Sequence, residues 1–124
     1  MIAGIGTDIC DLARFQKLVE QETFIKRVLT RNEQQKLASL PAKTRQVEFL
    51  AGRFACKEAF SKALGTGISQ DVSFQDLEIL NDNRGAPYFA KAPQSDKYQI
   101  HVSISHTNQM AIAFVVLEVK KELT

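Results

Sequence analysis

Between Pro41 and Gly65 the chain carries no proline, and glycine occurs there once, at Gly52. Proline suits the start of a helix and glycine the left-handed residue that ends one, so the run predicts a helix from about Ala42 to Leu64. At ~1.5 Å per residue it is about 35 Å long, the spine of the domain. Its second half, G-R-F-A-C-K-E-A-F-S-K-A-L-G-T-G from Gly52 to Gly67, is not amphipathic. Phe54, Phe60 and Leu64 are large and apolar, and Ala51, Ala55, Ala59 and Ala63 are small. Arg53, Lys57, Glu58 and Lys62 are interleaved with them. A helix that a core wants on nearly every side carries four charges, and those charges need a reason.

The remaining elements arrange themselves around this helix. M-I-A-G-I-G-T-D-I is too short and too β-branched for a helix and reads as a strand. Asp11 can cap a helix through Leu12, Phe15, Leu18 and Val19, and a second short helical piece covers Phe24 to Leu29. Thr30-Arg31-Asn32-Glu33 is a capping-box pattern that opens a helix to about Leu40. After the spine the pattern changes. Val72 to Leu80 is strand-like, Asn81 to Gly85 is a turn, and Ala86 to Phe89 returns. Ile100 to His106 and Ala111 to Val119 form a hairpin around Thr107-Asn108-Gln109. The expectation is an α+β domain with a long spine helix packed with shorter helices against an antiparallel β-sheet. No repeat or linker divides it, so residues 1–124 read as a single domain.

Composition narrows the class only modestly. A net charge of +2 with 24% charged residues argues for no nucleic-acid or membrane partner. The basic residues are nonetheless clustered. Lys36, Lys43, Arg45, Arg53, Lys57 and Lys62 face only Glu48 and Glu58 over the same stretch. Cys10 and Cys56 have no metal-ligand spacing and read as free buried thiols. With no signal peptide and no run long enough to span a bilayer, the expected location is the cytoplasm.

Four features could carry chemistry. In the first strand Ile2, Gly4, Gly6 and Asp8 share one face, a cleared floor with an acid at its edge. The plainer alternative is that the glycines admit a packed neighbour and Asp8 caps the following turn. On the spine helix Glu58 and Lys62 share a side with Ala51 and Ala55. They are either a surface i, i+4 pair or an acid with room beside it. Arg53 and Lys57 are like charges at i, i+4, a small cost that an anion between them would remove. Gly65-Thr66-Gly67 is a C-cap or an anion-approachable backbone, but not a Walker loop. In I-H-V-S-I-S-H-T, His106 extends the apolar row of Ile100, Val102 and Ile104 to the strand's end. It is either a structural histidine or the rim of a pocket fed by Ser105 and Thr107. One or two carboxylates with substrate phosphate oxygens is how Mg²⁺ is typically held, so the residues alone point to a metal-dependent binder of phosphate esters.

In combination the motifs are more specific. G-I-G-T-D-I at Gly4 to Ile9 with Arg14 six residues after Asp8, F-A-C-K-E-A-F-S-K-A-L-G-T-G at Phe54 to Gly67, and I-S-H-T at Ile104 to Thr107 resemble the signatures of the holo-acyl-carrier-protein synthases. The three stand in order, depart from the family at no motif position, and extend the resemblance over nearly the whole chain. The resemblance implies the 4′-phosphopantetheinyl transferase fold and a homotrimer with active sites at subunit interfaces. It implies transfer of the phosphopantetheine arm of coenzyme A to a serine hydroxyl of apo-acyl carrier protein, releasing adenosine 3′,5′-bisphosphate, in fatty acid biosynthesis. By analogy Asp8 and Glu58 hold Mg²⁺, and Lys62 stabilises charge developing on the phosphates. Coenzyme A is the substrate, with Arg53, Lys57, Lys62, Gly65, Thr66, Ser105, His106 and Thr107 as its candidate contacts. The acidic carrier protein would dock on Arg14, Lys17, Lys26 and Arg27, with Phe24 as an apolar anchor. Two other readings use the same carboxylates or the same pocket: a Mg²⁺-dependent hydrolase of coenzyme A or a nucleotide, and a non-catalytic coenzyme A-binding module.

Overall fold

A computed structural model describes residues 1–68 and 72–121. The spine helix, α4, runs Lys43–Leu64 and ends on Gly65 at φ 82°, the left-handed cap the sequence predicts. Before it come β1 (Ile2–Asp11), α1 (Leu12–Leu18), α2 (Glu22–Val28) and α3 (Arg31–Ser39). After it come a 3₁₀ turn at Phe74–Asp76, β2 (Glu78–Asn81), β3 (Pro87–Lys91), β4 (Tyr98–His106) and β5 (Met110–Val119).

The lack of an apolar stripe on α4 has a direct cause, since both of its sides are covered. Leu50, Ala51, Ala55, Cys56, Ala59 and Phe60 have no solvent exposure, as expected of a helix inside a core rather than on its surface. One side lies on a three-stranded antiparallel sheet of order β1-β5-β4. Gly4 and Gly6 make this approach possible. A Cβ on Gly6 would stand 1.9 Å from Ala59 O, and one on Gly4 2.0 Å from Ala63 O. The glycines of β1 therefore admit the backbone of α4, as the plainer reading expects of them, whereas Asp8 bonds Lys62 and not the following turn. The other side of α4 carries Phe60 against Phe89 at 5.2 Å between centroids, and Phe54 against Phe15 and Phe74 at 5.5 Å each.

Two local expectations change. Val72 to Leu80 is not a strand throughout, because pairing begins only at Glu78. Ser73 N donates to Asp76 Oδ2 and Asp76 N donates to Ser73 O, local bonds that compete with a strand ladder. Asp11 occupies the N-cap of α1 but makes no side-chain cap bond; the Leu12 amide donates to Gln109 O instead. The Thr30–Glu33 capping box is present with both of its bonds.

Candidate active site

Alternation along β1 turns Asp8 toward α4, and the helical repeat turns Lys62 toward Asp8. Lys62 Nζ lies 2.8 Å from Asp8 Oδ1 and donates also to Thr7 O at 3.1 Å. One turn earlier on the same side stands Glu58. Partial burial and the charge of Asp8 hold its carboxyl above the ordinary range, while Lys62 and Arg14 pull it down. The bond to Asp8 holds the Lys62 ammonium above its usual value. Cys10 Sγ donates weakly to Asp8 Oδ2 at 3.5 Å. Burial and Asp8 push that thiol up to about 12, so it stays neutral.

Two neighbouring carboxylates, one of them held protonated more readily by burial and by the charge of the other, suit a small divalent cation, which would relieve their repulsion. Among the described residues there is no cluster of three or more His, Cys, Asp or Glu side chains placed to hold a metal. A cation here would complete its shell with water and substrate oxygens, as Mg²⁺ prefers.

Beside Glu58 opens a cleft of about 610 Å³ lined by Arg14, Arg27, Phe54, Ile68, Phe74 and Gln75. The Arg14 guanidinium stands 5.3 Å from the Phe54 ring and 5.5 Å from that of Phe15. The docking expectation changes at one residue. Phe24 is 8% exposed and packs edge-on against Phe15 at 6.1 Å, so it supports the wall from behind and is not an exposed anchor. The apolar surface of the cleft comes from Phe54, Ile68 and Phe74. Lys17 and Lys26 stand outside its lining, and Lys26 pairs with Glu22 at 2.8 Å.

A second cleft of about 610 Å³ lies toward the other end of α4, around Arg53, His106, Arg45, Lys36, Asn81 and Asn83. His106 Nδ1 is 3.3 Å from Glu48 Oε2. Arg53 donates from Nε to Ile79 O at 3.0 Å and from Nη2 to Asn81 Oδ1 at 2.7 Å, with Phe49 beneath it at 4.4 Å. Ten residues of α4 separate Glu48 from Glu58, about 15 Å of rise. The candidate contacts for coenzyme A are therefore not gathered in one place within a chain. Ser105 is exposed on the opposite face of β4. The Thr107 hydroxyl accepts from the Gln109 and Met110 amides and closes the hairpin. Thr66 Oγ1 donates to Gly67 O beside the Gly65 cap.

Lys57 stands in the core and not in the site. Expected as a counter-charge for coenzyme A, it has no solvent exposure and lies 2.7 Å from an equally buried Glu33. Its other bonds go to Val28 O at 2.7 Å and Phe74 O at 3.1 Å. Every hydrogen of its ammonium is committed within the core, so none is left for a ligand. Two residues escape sequence reasoning here. Glu33 reads as an ordinary capping-box acid, and Gln75 sits in a stretch that mimics a strand. Neither has a short-range signal for its distant partners.

The outward face of the three-stranded sheet carries Ile5, Ile9, Met110, Ile112 and Phe114, each 40–60% exposed. Exposed apolar side chains gathered on one sheet face suit an interaction surface. No helix of the described residues is long and apolar enough to cross a membrane.

Comparison with known proteins shows the family of the chain. A family model described as the 4′-phosphopantetheinyl transferase superfamily matches residues 4–115. The holo-[acyl-carrier-protein] synthase of Enterococcus faecalis is 56% identical over 95% of this chain and 98% of its own length. That of Oceanobacillus iheyensis is 52% identical over 98% of this chain and 100% of its own. Among solved structures, a holo-(acyl-carrier-protein) synthase from Bacillus anthracis in complex with CoA (3′,5′-ADP) superposes with a TM-score of 0.89. It is 47% identical and covers 97% of this chain and 99% of that one. The Helicobacter pylori synthase in complex with coenzyme A gives 0.80 at 33% identity, over 92% and 99% of the two chains.

Proposed function

Since this chain belongs to the 4′-phosphopantetheinyl transferase superfamily, we propose that it is an enzyme that moves the phosphopantetheine arm of coenzyme A to a serine of apo-acyl carrier protein. The serine oxygen bonds to the β-phosphorus of coenzyme A and the anhydride bond to the α-phosphate breaks. Adenosine 3′,5′-bisphosphate leaves, and the serine proton passes to an acceptor in the site. The product serves fatty acid biosynthesis in the cytoplasm, and each chain contributes a single domain to the reaction.

The observation that carries this reading is the Asp8–Lys62 pair with Glu58 one turn away at the edge of a cleft. Asp8 and Glu58 would hold Mg²⁺, which would supply positive charge to neutralise a phosphate substrate. Lys62 Nζ, half exposed and held protonated by Asp8, presents a fixed positive charge to the transferring phosphate, the kind of preorganised charge that catalyses phosphoryl transfer. Arg14 and Arg27 face an acidic carrier across the cleft, where their charges govern association rate more than affinity.

The nucleotide end is assigned to Arg53 and His106 with the basic Arg45 and Lys36 beside them. Because this cleft stands about 15 Å along α4 from Glu58, we assign it to an active site completed by a neighbouring subunit. The exposed apolar face of β1 and β5 is the surface by which a homotrimer would form. The hydrolase and binding-module readings are not favoured, since the similar chains are synthases.

Intact mass of a purified apo-acyl carrier protein tests the proposal, after incubation with this protein, coenzyme A and Mg²⁺. A gain of one phosphopantetheine, lost with EDTA, is the expected result. An unmodified carrier known to be competent would reject transfer.

A further inference from the structure

α2 carries one wall of the cleft beside Glu58, yet it is seven residues long and no side chain caps its N-terminus. Helices this short do not hold their own geometry in water. Phe24 and Val28 seat α2 on the core, and its other end is fixed by donors to carbonyls that a helix leaves without internal partners. Gln75 Nε2 donates to Lys26 O and to Leu29 O, both at 2.8 Å. Lys57 Nζ donates to Val28 O at 2.7 Å, and Gln34 Nε2 to Leu29 O at 2.9 Å.

These donors connect the wall to the rest of the cleft. Gln75 sits in the 3₁₀ turn beside Phe74, whose ring stacks on Phe54. Lys57 also donates to Phe74 O and to Glu33 Oε1, so one buried ammonium joins α2, α3 and the turn. Lys57 immediately precedes Glu58 on α4. The same turn of helix thus presents Glu58 to the cleft and anchors the wall opposite.

We propose that Gln75, backed by Lys57, is a positioning residue: it sets the α2 wall and Phe74 at their working distance from Glu58, and so governs capture of the carrier protein. This inference rests on the reading of the cleft as the carrier's seat. Gln75 touches no reacting atom, since its amide is committed to backbone carbonyls.

The test compares Gln75→Ala and Gln75→Met with the wild-type protein, using apo-acyl carrier protein and coenzyme A as varied substrates. Gln75 is exposed, so neither change removes core volume. Met keeps the length and packing of the side chain and removes only its donor. Both variants are expected to raise KM for the carrier roughly tenfold, the worth of one or two hydrogen bonds. The KM for coenzyme A and kcat at saturating carrier should stay at wild-type values. An unchanged carrier KM in both variants, with an active wild type, overturns the positioning role alone. Wild-type kinetics from Gln75→Met with a defective Gln75→Ala would assign the effect to side-chain bulk and overturn it equally. A wild-type protein that labels no carrier removes the reading of the cleft, and this inference with it.

Discussion

Lys57 Nζ and Glu33 Oε1 meet at 2.7 Å in the core, with neither side chain exposed to solvent. The pair is satisfied on both sides. Glu33 also accepts from Thr30 N at 2.9 Å and from Ile79 N at 2.8 Å, and the ammonium has two carbonyl partners besides. Burial drives the Lys57 ammonium toward losing its proton, and Glu33 opposes this.

Removing one partner should therefore cost more than removing both. Lys57→Met strands a buried carboxylate and is expected to lower stability by about 3–5 kcal/mol. Lys57→Met combined with Glu33→Leu should recover a substantial part of that loss. Urea denaturation of the two single variants and the double variant measures this coupling. Strictly additive losses would mean the two charges act independently.

The contact between β1 and α4 gives a second expectation. Gly6→Ala would put a methyl 1.9 Å from Ala59 O, which is backbone and cannot rotate away. Forcing the elements apart should destabilise by about 1–3 kcal/mol and move Asp8 away from Lys62. Thermal denaturation reads the first effect and phosphopantetheine transfer the second. Transfer should fall further than the loss of folded protein explains.

Glu58 sets a pH dependence with a defined sign. Its folded carboxyl titrates above the ordinary 4.5, so the native state keeps this proton longer than the unfolded chain does. The stability it contributes is present below about pH 4.5 and is lost as pH rises through the raised value. Glu58→Gln resembles the protonated form at every pH. In EDTA its melting temperature should match wild type near pH 4, exceed it as pH rises through the raised value, and keep a constant lead above that. The same difference at pH 4 as at pH 7 would contradict the shift. Asp8→Asn and Glu58→Gln should each reduce transfer by at least about 100-fold while leaving the fold intact, as expected when groups that hold a phosphoryl substrate in place are removed.

The apolar outer face of the sheet predicts assembly. Phe114→Asp places a charge at the centre of that face beside Thr7 and Ser103, its neighbours across the strands. Sedimentation at micromolar concentration should show a trimer for the wild type and a monomer for the variant. A wild-type monomer would return this face to solvent and leave the second cleft without a neighbour.

The sequence by itself determined most of what depends on near neighbours along the chain, the strand expected from Val72 and the Asp11 cap excepted. The span of α4 from Pro41 to Gly65, the capping box at Thr30–Glu33, the facing of Asp8 along β1 and the hairpin at Thr107–Gln109 all follow from periodicity, caps and turn residues. The combination of three motifs that singled out Asp8 and Glu58 was legible as well, as a resemblance to a known family. Tertiary structure decided the partners. It set β1 beside β5, lodged Phe24 behind the cleft instead of on it, and took Lys57 out of the site to meet Glu33 from 24 residues away. It also committed Gln75 to the end of α2, some 46 residues distant. A buried lysine and a ligand-binding lysine look alike in sequence, because the local pattern fixes which way a side chain points but not what arrives there. The cost of burying a charge depends on that arrival, and only the folded chain supplies it.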